Sequence, residues 1–267
     1  MQILIDIGGT KMRIGVPKEG GDALGTSRII HTPETGDEAI RLLVATGREI
    51  AGDAEIEGVY AGVRAYDHVG GVMRRHRTLP LWENYPIRGK LEAGFGAPAV
   101  IENDAAVVGL GEARYGAGKS YEIVAYLTIS TGVGGAKISG GAIDESAIGF
   151  ELGAEIIDGT HTLEELISGA AVERKYGMHP RDISDAKVWS ELAHYLAIGL
   201  NNCIVHWSPD CVIVGGSMMN EIGIHLPAVE TELKKILTVY GSVPPLLHAS
   251  LGDLGGLYGA LALSQKR

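Results

Sequence analysis

Two glycine-rich segments carry residue types that suit phosphate binding. The first is Asp6–Lys11 (Asp-Ile-Gly-Gly-Thr-Lys), and the second is Thr128–Gly135 (Thr-Ile-Ser-Thr-Gly-Val-Gly-Gly). Each follows a short apolar stretch typical of a strand, and more strand-like sequence comes after it. Glycine has no Cβ, so such a backbone can reach positive φ and bring its N–H groups close to an anion. The two segments therefore predict a phosphate held between two lobes.

Carboxylates near these turns could complete a phosphoryl-transfer site. That chemistry needs donors around a polyphosphate, a divalent cation, and a carboxylate that orients or deprotonates the attacking hydroxyl. Asp6 ends a predicted strand and could orient Mg²⁺, usually through water. Asp104 lies at a predicted helix N-terminus, which favours its ionised form, and is the candidate base. The candidate nucleotide-binding residues of the two turns are Gly8, Gly9, Thr10, Lys11, Thr131 and Gly132.

Each residue also has a purely structural explanation. A lone Gly-Gly pair is usually a tight hairpin, and Asp6 could equally be a turn residue. An isolated Asn-Asp pair such as Asn103-Asp104 is usually a helix cap. Thr131 could be a strand-end hydroxyl. The conjunction of these segments in sequence order favours the functional interpretation.

Composition and charge exclude several classes of partner. The chain has 267 residues, 39 of them glycine, and a formal net charge of −10, so nonspecific nucleic-acid binding is not expected. The one basic cluster, Arg74–Arg77, is interpreted as a solvated loop. No signal peptide or membrane-spanning apolar run is visible, and Cys203 and Cys211 lack metal-ligand spacing. We therefore expect a cytoplasmic protein with no membrane or nucleic-acid partner.

Strand and helix patterns alternate on both sides of Asp104, which predicts two similar α/β lobes with a cleft between them. The predicted domains are 1–104, a small N-terminal lobe on which a helix at 255–267 packs, and 105–254, a larger lobe.

The predicted strands are 2–7, 12–16, 26–31, 58–63, 99–101, a hairpin at 123–138, and 212–214. The predicted helices are 37–51, 87–93, 105–115, 186–206, one opened by Gly215-Gly216-Ser217, and 255–264. Thr162 and Glu165 form a predicted capping box.

Four segments in this order resemble motifs of the ROK family, the repressors and sugar kinases of the actin-like ATPase superfamily. Asp6–Val16 resembles the first phosphate motif of that family, and Leu127–Gly135 resembles the second. Glu102–Ala105, followed by Gly111-Glu112, is similar to its catalytic segment. Pro209–Ser217 is similar to its adenosine motif, and the similarity continues to Gly255–Ala260. The resemblance implies actin-like (ribonuclease H-like) lobes, each with a mixed sheet flanked by helices.

The resemblance also implies an activity: ATP-dependent, glucokinase-like phosphorylation of a hexose or N-acylated aminohexose, with magnesium. In the family, the aspartate matching Asp104 takes the proton of the sugar hydroxyl, and the asparagine matching Asn103 binds the sugar. Glu151 and Glu164 match sugar-binding glutamates, although each could be an ordinary solvated carboxylate. The adenosine motif implies that Gly215, Gly216 and Ser217 contact the nucleotide, although this turn could merely join a strand to a helix.

The chain departs from the family pattern in three places. Ala154 stands where a histidine is expected, and Ile156–Thr162 replaces a cysteine-rich zinc segment. His161 alone cannot form a structural zinc site, so we expect no zinc. Arg64-Ala65 replaces a Pro-Gly turn near the sugar, and Arg64 could admit a charged or otherwise altered substrate.

Two other functions compete with the kinase. A sugar-responsive transcription regulator of this family carries a helix-turn-helix ahead of the kinase-like part, but here the first glycine turn begins within ten residues of Met1. The altered positions near the sugar motivate a non-catalytic sugar-binding or nucleotide-binding relative, against which stand Asp104 and both phosphate turns. A homodimer is expected from the family alone.

Overall fold

The computed structural model describes residues 1–146 and 149–265. The strands are β1 (Gln2–Ile7), β2 (Lys11–Pro17), β3 (Leu24–His31), β4 (Gly58–Val63), β5 (Tyr66–Asp67), β6 (Val72–Met73), β7 (Ala99–Asn103), β8 (Ile123–Ile129), β9 (Val133–Ser139), β10 (Ala142–Ile143), β11 (Cys211–Gly215) and β12 (Leu246–His248). The α-helices are α1 (Gly36–Ala51), α2 (Ile87–Phe95), α3 (Asp104–Tyr115), α4 (Leu163–Ile167), α5 (Gly169–Tyr176), α6 (Ala186–Trp207), α7 (Leu226–Ile236) and α8 (Gly255–Ser264).

The chain divides into two compact units. The first comprises Met1–Tyr115 together with the chain from Leu251 onward, and the second comprises Gly116–Ser250. The division falls after α3, whereas the sequence placed the boundary at Asp104, because α3 packs along α8 in the first unit. The predicted terminal helix 255–267 is seen as α8, and its last two predicted residues, 266 and 267, lie outside the described residues.

The first unit is built on a five-stranded mixed sheet in the order β3-β2-β1-β4-β7. β1, β2 and β3 pair antiparallel, whereas β1, β4 and β7 are parallel. Side chains alternate across β1, so Ile3, Ile5 and Ile7 pack in one core cluster with α1 and α2. Leu4 faces the other way, in a cluster with residues of α3 and α8. Asp6 has the same parity as Leu4 and therefore lies on the α3 and α8 face.

The second unit repeats this order with its own five-stranded sheet, β10-β9-β8-β11-β12. β8 and β9 form the predicted antiparallel hairpin, and β11 runs parallel to both β8 and β12. The long helix α6 supplies much of the core of this unit, including Leu192, Leu196 and Leu200. A hairpin followed by a parallel neighbour thus places a glycine turn at the same topological position in each unit.

Local capping signals were confirmed, whereas one predicted helix was wrong. Thr162 accepts a hydrogen bond from the backbone N–H of Glu165, and the Glu165 carboxylate accepts one from the backbone N–H of Thr162. The segment after β11 does not open an α-helix directly. It forms a short 3-10 helix at Ser217–Met219, and the next α-helix, α7, begins at Leu226. Pro227 occupies the first turn of α7, where its missing N–H is tolerated.

Glycines allow α3 and α8 to approach each other closely. A Cβ on Gly111 would lie 2.7 Å from the Gly255 carbonyl oxygen and 2.8 Å from the Gly259 backbone nitrogen. A Cβ on Gly259 would overlap the carbonyl group of Val107. These neighbours are backbone atoms of packed helices, so they cannot rotate away as a flexible side chain would.

We therefore expect Gly259→Ala to destabilise the protein by about 3 kcal/mol or more, because the helices must separate to admit a methyl group. Gly89→Ala on α2 is the matched control, since a Cβ there meets nothing within 4 Å. The control should stabilise the protein by about 0.5–1 kcal/mol through the loss of glycine flexibility. Denaturant unfolding of both variants measures the difference, and equal stabilities would contradict this account.

Candidate active site

Asp6 lies at the end of β1, in an ion pair with a residue of the neighbouring strand. Arg13 is directly opposite Asp6 in the β1–β2 register, and its Nη1 donates to Asp6 Oδ2 at 3.1 Å. The same guanidinium uses Nη2 to bind Asp253 Oδ1, also at 3.1 Å. Sequence analysis missed Arg13, although counting outward from the glycine turn in an antiparallel hairpin would have placed it opposite Asp6.

Asp6 is buried, and burial raises its pKa to about 6. Arg13 opposes this rise by favouring the charged carboxylate, whereas the negative charges of Asp104 and Asp253 reinforce it. A glycine in α8 contributes to the burial, because a Cβ on Gly256 would lie 2.6 Å from Asp6 Oδ2. The C-terminal helix thus covers the carboxylate that sequence analysis assigned to the cation.

The first glycine turn is short and braced at its base. The backbone N–H of Gly8 donates to the Lys11 carbonyl at 3.0 Å, and Thr32 Oγ1 donates to the Gly8 carbonyl at 2.9 Å. A Cβ on Gly9 would overlap the hydroxyl of Thr78. Thr10 and Lys11 are exposed at the tip.

Three glycines of the phosphate turns do not use the positive φ that glycine allows. Gly8, Gly9 and Gly132 are not among the positive-φ glycines of the described residues. Their lack of a Cβ matters instead for space, because a methyl group on any of them would press on a neighbouring atom. Gly216, at φ 97°, does require a left-handed conformation.

Asn103 and Asp104 form the junction of β7 and α3, as the sequence predicted. Asn103 Oδ1 and Asp104 Oδ1 each accept from the Ala105 backbone N–H at 2.9 Å, so both act as caps. The second oxygen, Asp104 Oδ2, lies 3.5 Å from Arg64 Nε. The predicted base therefore holds the start of a helix with one oxygen and faces a guanidinium with the other.

Arg64 directly follows β4, which pairs in parallel with both β1 and β7. Its backbone N–H donates to the Ile7 carbonyl at 3.4 Å. Because parallel strands end at one edge of a sheet, Asp6, Arg64 and Asp104 come together there. The structure thus unites three sequence-predicted site residues of the first unit beside the first glycine turn.

A second charged cluster, missed by sequence analysis, lies next to Asn103. Glu102 Oε2 is 3.5 Å from His68 Nε2. Burial raises the pKa of Glu102, while His68 and Arg88 act in the opposite direction. No local sequence signal marked His68 or Arg88, because the loop and helix that carry them meet Glu102 only in the fold.

Glu112, in the segment that resembled the family's catalytic motif, has a structural contact. It is buried, and its Oε1 accepts from the Leu251 backbone N–H at 2.8 Å. Leu251 leads into the 3-10 helix Gly252–Leu254, which carries Asp253. Glu112 therefore helps to position the acidic partner of Arg13.

In the second unit, Glu164 lies against the second glycine turn. The Val133 backbone N–H donates to Glu164 Oε2 at 2.8 Å, and a Cβ on Gly132 would lie 2.6 Å from the same oxygen. Thr131, beside this contact, is exposed. The structure thus brings together a residue assigned to the sugar and a turn assigned to the nucleotide.

Ser130 links this turn to the segment that resembled an adenosine motif. Its Oγ accepts from the Ser217 backbone N–H at 3.1 Å, and its carbonyl accepts from the Gly169 N–H at 2.7 Å. A Cβ on Gly215 would lie 2.8 Å from Ala249 Cβ, so this turn is tightly packed. Ser130 was missed as a site residue, although it stands inside the second glycine segment.

Glu151 is exposed and precedes the 3-10 helix Leu152–Ala154. It lines a pocket of about 270 Å³ in the second unit. Phe150 and Trp207 meet edge to face in this pocket, with ring centroids 5.0 Å apart. The other residues that line it are Leu152, Glu155, Cys203 and His206.

Residues 1–146 and 149–265 lack two kinds of feature. They contain no group of three or more His, Cys, Asp or Glu side chains arranged to hold a metal ion. They also contain no helix with the length and apolar character needed to cross a membrane.

Comparison with known proteins places the chain in a family. The ROK family model matches residues 2–267, so the chain belongs to the ROK family. The glucokinase of Streptomyces coelicolor is 27% identical over 316 residues, which cover 100% of this chain and 98% of that protein.

Two crystal structures resemble the chain over nearly its whole length. The ROK hexokinase from Thermus thermophilus superimposes with a TM-score of 0.85 at 29% identity, covering 97% of this chain and 96% of that chain. A ROK family glucokinase from Streptomyces griseus, in complex with glucose and AMPPNP, superimposes with a TM-score of 0.77 at 25% identity, covering 98% of each chain. These matches confirm the predicted actin-like α/β fold, with mixed sheets flanked by helices.

The buried Asp6 predicts a pH-dependent stability. Because the folded-state pKa is raised from 3.8 to about 6, the folded protein binds the Asp6 proton more tightly than the unfolded chain does. This contribution is present below pH 4 and is lost as the pH rises through 6. One pKa unit corresponds to about 1.4 kcal/mol, so the free energy of unfolding of the wild type falls by about 3 kcal/mol as the pH rises. An Asp6→Asn variant has no proton to lose at this position and should not show this fall.

We therefore expect the stability of Asp6→Asn relative to wild type to rise by about 3 kcal/mol between pH 4 and pH 7. Denaturant unfolding at several pH values, in chelator and without nucleotide, measures this difference. Asp53→Asn, at an exposed aspartate, controls for the loss of one negative charge. A stability difference that stays constant with pH would show that Asp6 does not carry the effect.

Proposed function

We propose that the chain is an ATP-dependent sugar kinase that transfers the γ-phosphate of ATP to a hydroxyl of a hexose or N-acylated aminohexose. Its ROK family membership and the sugar kinases among its relatives support this proposal. The observation that carries it is Asp104, whose Oδ2 stands at the edge of the sheet beside Asp6 and the first glycine turn.

In the proposed reaction, Asp104 accepts the proton of the attacking sugar hydroxyl. The sugar oxygen forms a bond to the γ-phosphorus as the bond between that phosphorus and the ADP oxygen breaks. Asp104 Oδ1 already accepts the Ala105 N–H, which fixes the carboxylate and leaves Oδ2 to receive the proton. Asn103, Glu151, Glu164 and Arg64 are the proposed sugar-binding residues.

The proposed contacts to ATP come from three backbone segments. Gly8–Lys11 and Thr131-Gly132 are the proposed phosphate-binding turns, and Gly215–Ser217 is the proposed adenosine-binding turn. The close packing of their glycines leaves no room for a Cβ at Gly9, Gly132 or Gly216. Packing inside the protein therefore requires glycine at these points, and backbone N–H groups in turns of this kind can also bind a phosphate.

Asp6 is the proposed magnesium residue. Its carboxylate is buried, which disfavours its charged form, and a divalent cation would supply the charge that restores ionisation. Asp6 would hold Mg²⁺ through water, and the ion would neutralise the developing charge on the phosphates. A cytoplasmic location and a homodimer stay predictions.

We expect Asp104→Asn to lose about 10²–10⁴-fold in kcat, because the amide cannot accept the hydroxyl proton. The variant should fold, since its Oδ1 can still cap α3. Coupled release of ADP over a panel of hexoses and N-acylated aminohexoses measures the activity. Asp185→Asn, at the N-cap of α6 in the second unit, is the matched control and should keep its activity.

Turnover of Asp104→Asn close to that of wild type would remove Asp104 from the mechanism. If the wild-type protein binds sugars in calorimetry but releases no ADP with any of them, the non-catalytic relative becomes the better interpretation. A gel-shift with genomic DNA at moderate salt tests the regulator.

A further inference from the structure

Arg64 lies against Oδ2 of Asp104, the carboxylate oxygen through which the proposed base would accept the proton. Its Nε lies 3.5 Å from Asp104 Oδ2, and a quarter of each side chain is exposed. Because Oδ1 accepts the Ala105 N–H, Arg64 lies against the oxygen that is left to receive the hydroxyl proton. Displacing Arg64 would leave Oδ2 fully open to the hydroxyl.

The backbone around Arg64 is held while its side chain reaches solvent. The Arg64 N–H bonds to Ile7, and the Ala65 carbonyl accepts from the Arg74 N–H at 2.7 Å. Ala65 has a φ of 55°, a left-handed conformation that is unfavourable for a residue other than glycine. Such a conformation persists only where surrounding contacts impose it, and here the two backbone hydrogen bonds hold the turn that carries Arg64.

The segment that packs beside Arg64 is strongly basic. Arg74–Arg77 contains three arginines and one histidine in a chain whose net charge is −10. Arg74 binds this segment to the turn after β4, through its backbone N–H to Ala65 and its Nη2 to the Tyr66 carbonyl at 3.0 Å. Thr78, which follows, touches Gly9 of the first glycine turn. Positive charge is thus concentrated beside the proposed sugar and phosphate residues.

Nearby acidic groups are already engaged. Glu102 faces His68, and Asp67 accepts from the backbone N–H groups of Val69 and Gly70. Asp104 is the carboxylate that faces Arg64. An anionic ligand group would offer the guanidinium a replacement for the charge of Asp104, which a neutral hydroxyl does not.

We propose that Arg64 is a specificity residue that binds an anionic group of the sugar, a carboxylate or a phosphate, and thereby releases Asp104 Oδ2 for the hydroxyl. This inference rests on the proposed sugar kinase activity. A guanidinium forms paired hydrogen bonds with either anion, so the exchange replaces one charge-assisted contact by another. The substrate class is then a hexose derivative that already carries one negative group.

The test compares matched sugars that differ in the anionic group: glucose with glucuronate, galactose with galacturonate, and glucose with glucose 6-phosphate. We expect wild-type kcat/KM to favour at least one anionic member by tenfold or more. Arg64→Met should reduce that preference at least tenfold, and Arg64→Lys should retain part of it. Arg28→Met, at an exposed arginine of β3, removes the same charge elsewhere and should keep the preference.

The carboxylate and phosphate pairs show which anion Arg64 binds. Phosphorylation of neutral sugars in preference to every anionic partner would overturn this inference and leave the sugar kinase intact. If no sugar is phosphorylated, the proposed function fails, and calorimetric binding of the same pairs still decides the role of Arg64. Anion-selective binding that is lost in Arg64→Met supports the inference, and equal binding by both proteins overturns it.

Discussion

The parallel pairing of β1, β4 and β7 is the constraint on which the first unit's site depends. Ile7 pairs with Val63, and Val63 pairs with Asn103, so the three strands end in step. Residues nearly a hundred positions apart in sequence, Asp6 and Asp104, are thereby placed beside one another with Arg64. Backbone hydrogen bonds hold the strands at this register, and the side chains buried on the two faces of the sheet specify it.

Burial gives that sheet edge its unusual electrostatics. Asp6 and Asp253 share the guanidinium of Arg13, and α8 covers Asp6 through the bare backbone of Gly256. The contact of Glu112 with Leu251 holds the segment that carries Asp253. The charge state of Asp6 therefore depends on three elements together: the N-terminal hairpin, a central helix and the C-terminal helix. No two of these elements are neighbours in sequence.

Regular elements were predictable because their signals are local. Short stretches of apolar, strand-like sequence marked β1 and β2, and a 3.6-residue apolar period marked α6. The Thr162 and Glu165 capping box could be identified from two residues three positions apart. The short 3-10 helix after Gly216 was mistaken for the start of a longer helix, since Gly-Gly-Ser at a strand end precedes either structure.

By itself the sequence determined the longer strands, the long helices, the two glycine turns and the position of Asp104 at a helix start, because each depends on residues adjacent or one turn apart. Only the tertiary structure decided that Arg13 neutralises Asp6, that Arg64 faces Asp104, and that Glu164 meets the second turn. These contacts depend on strand register and helix packing over long separations. Their strength depends on burial, which no short stretch of sequence specifies.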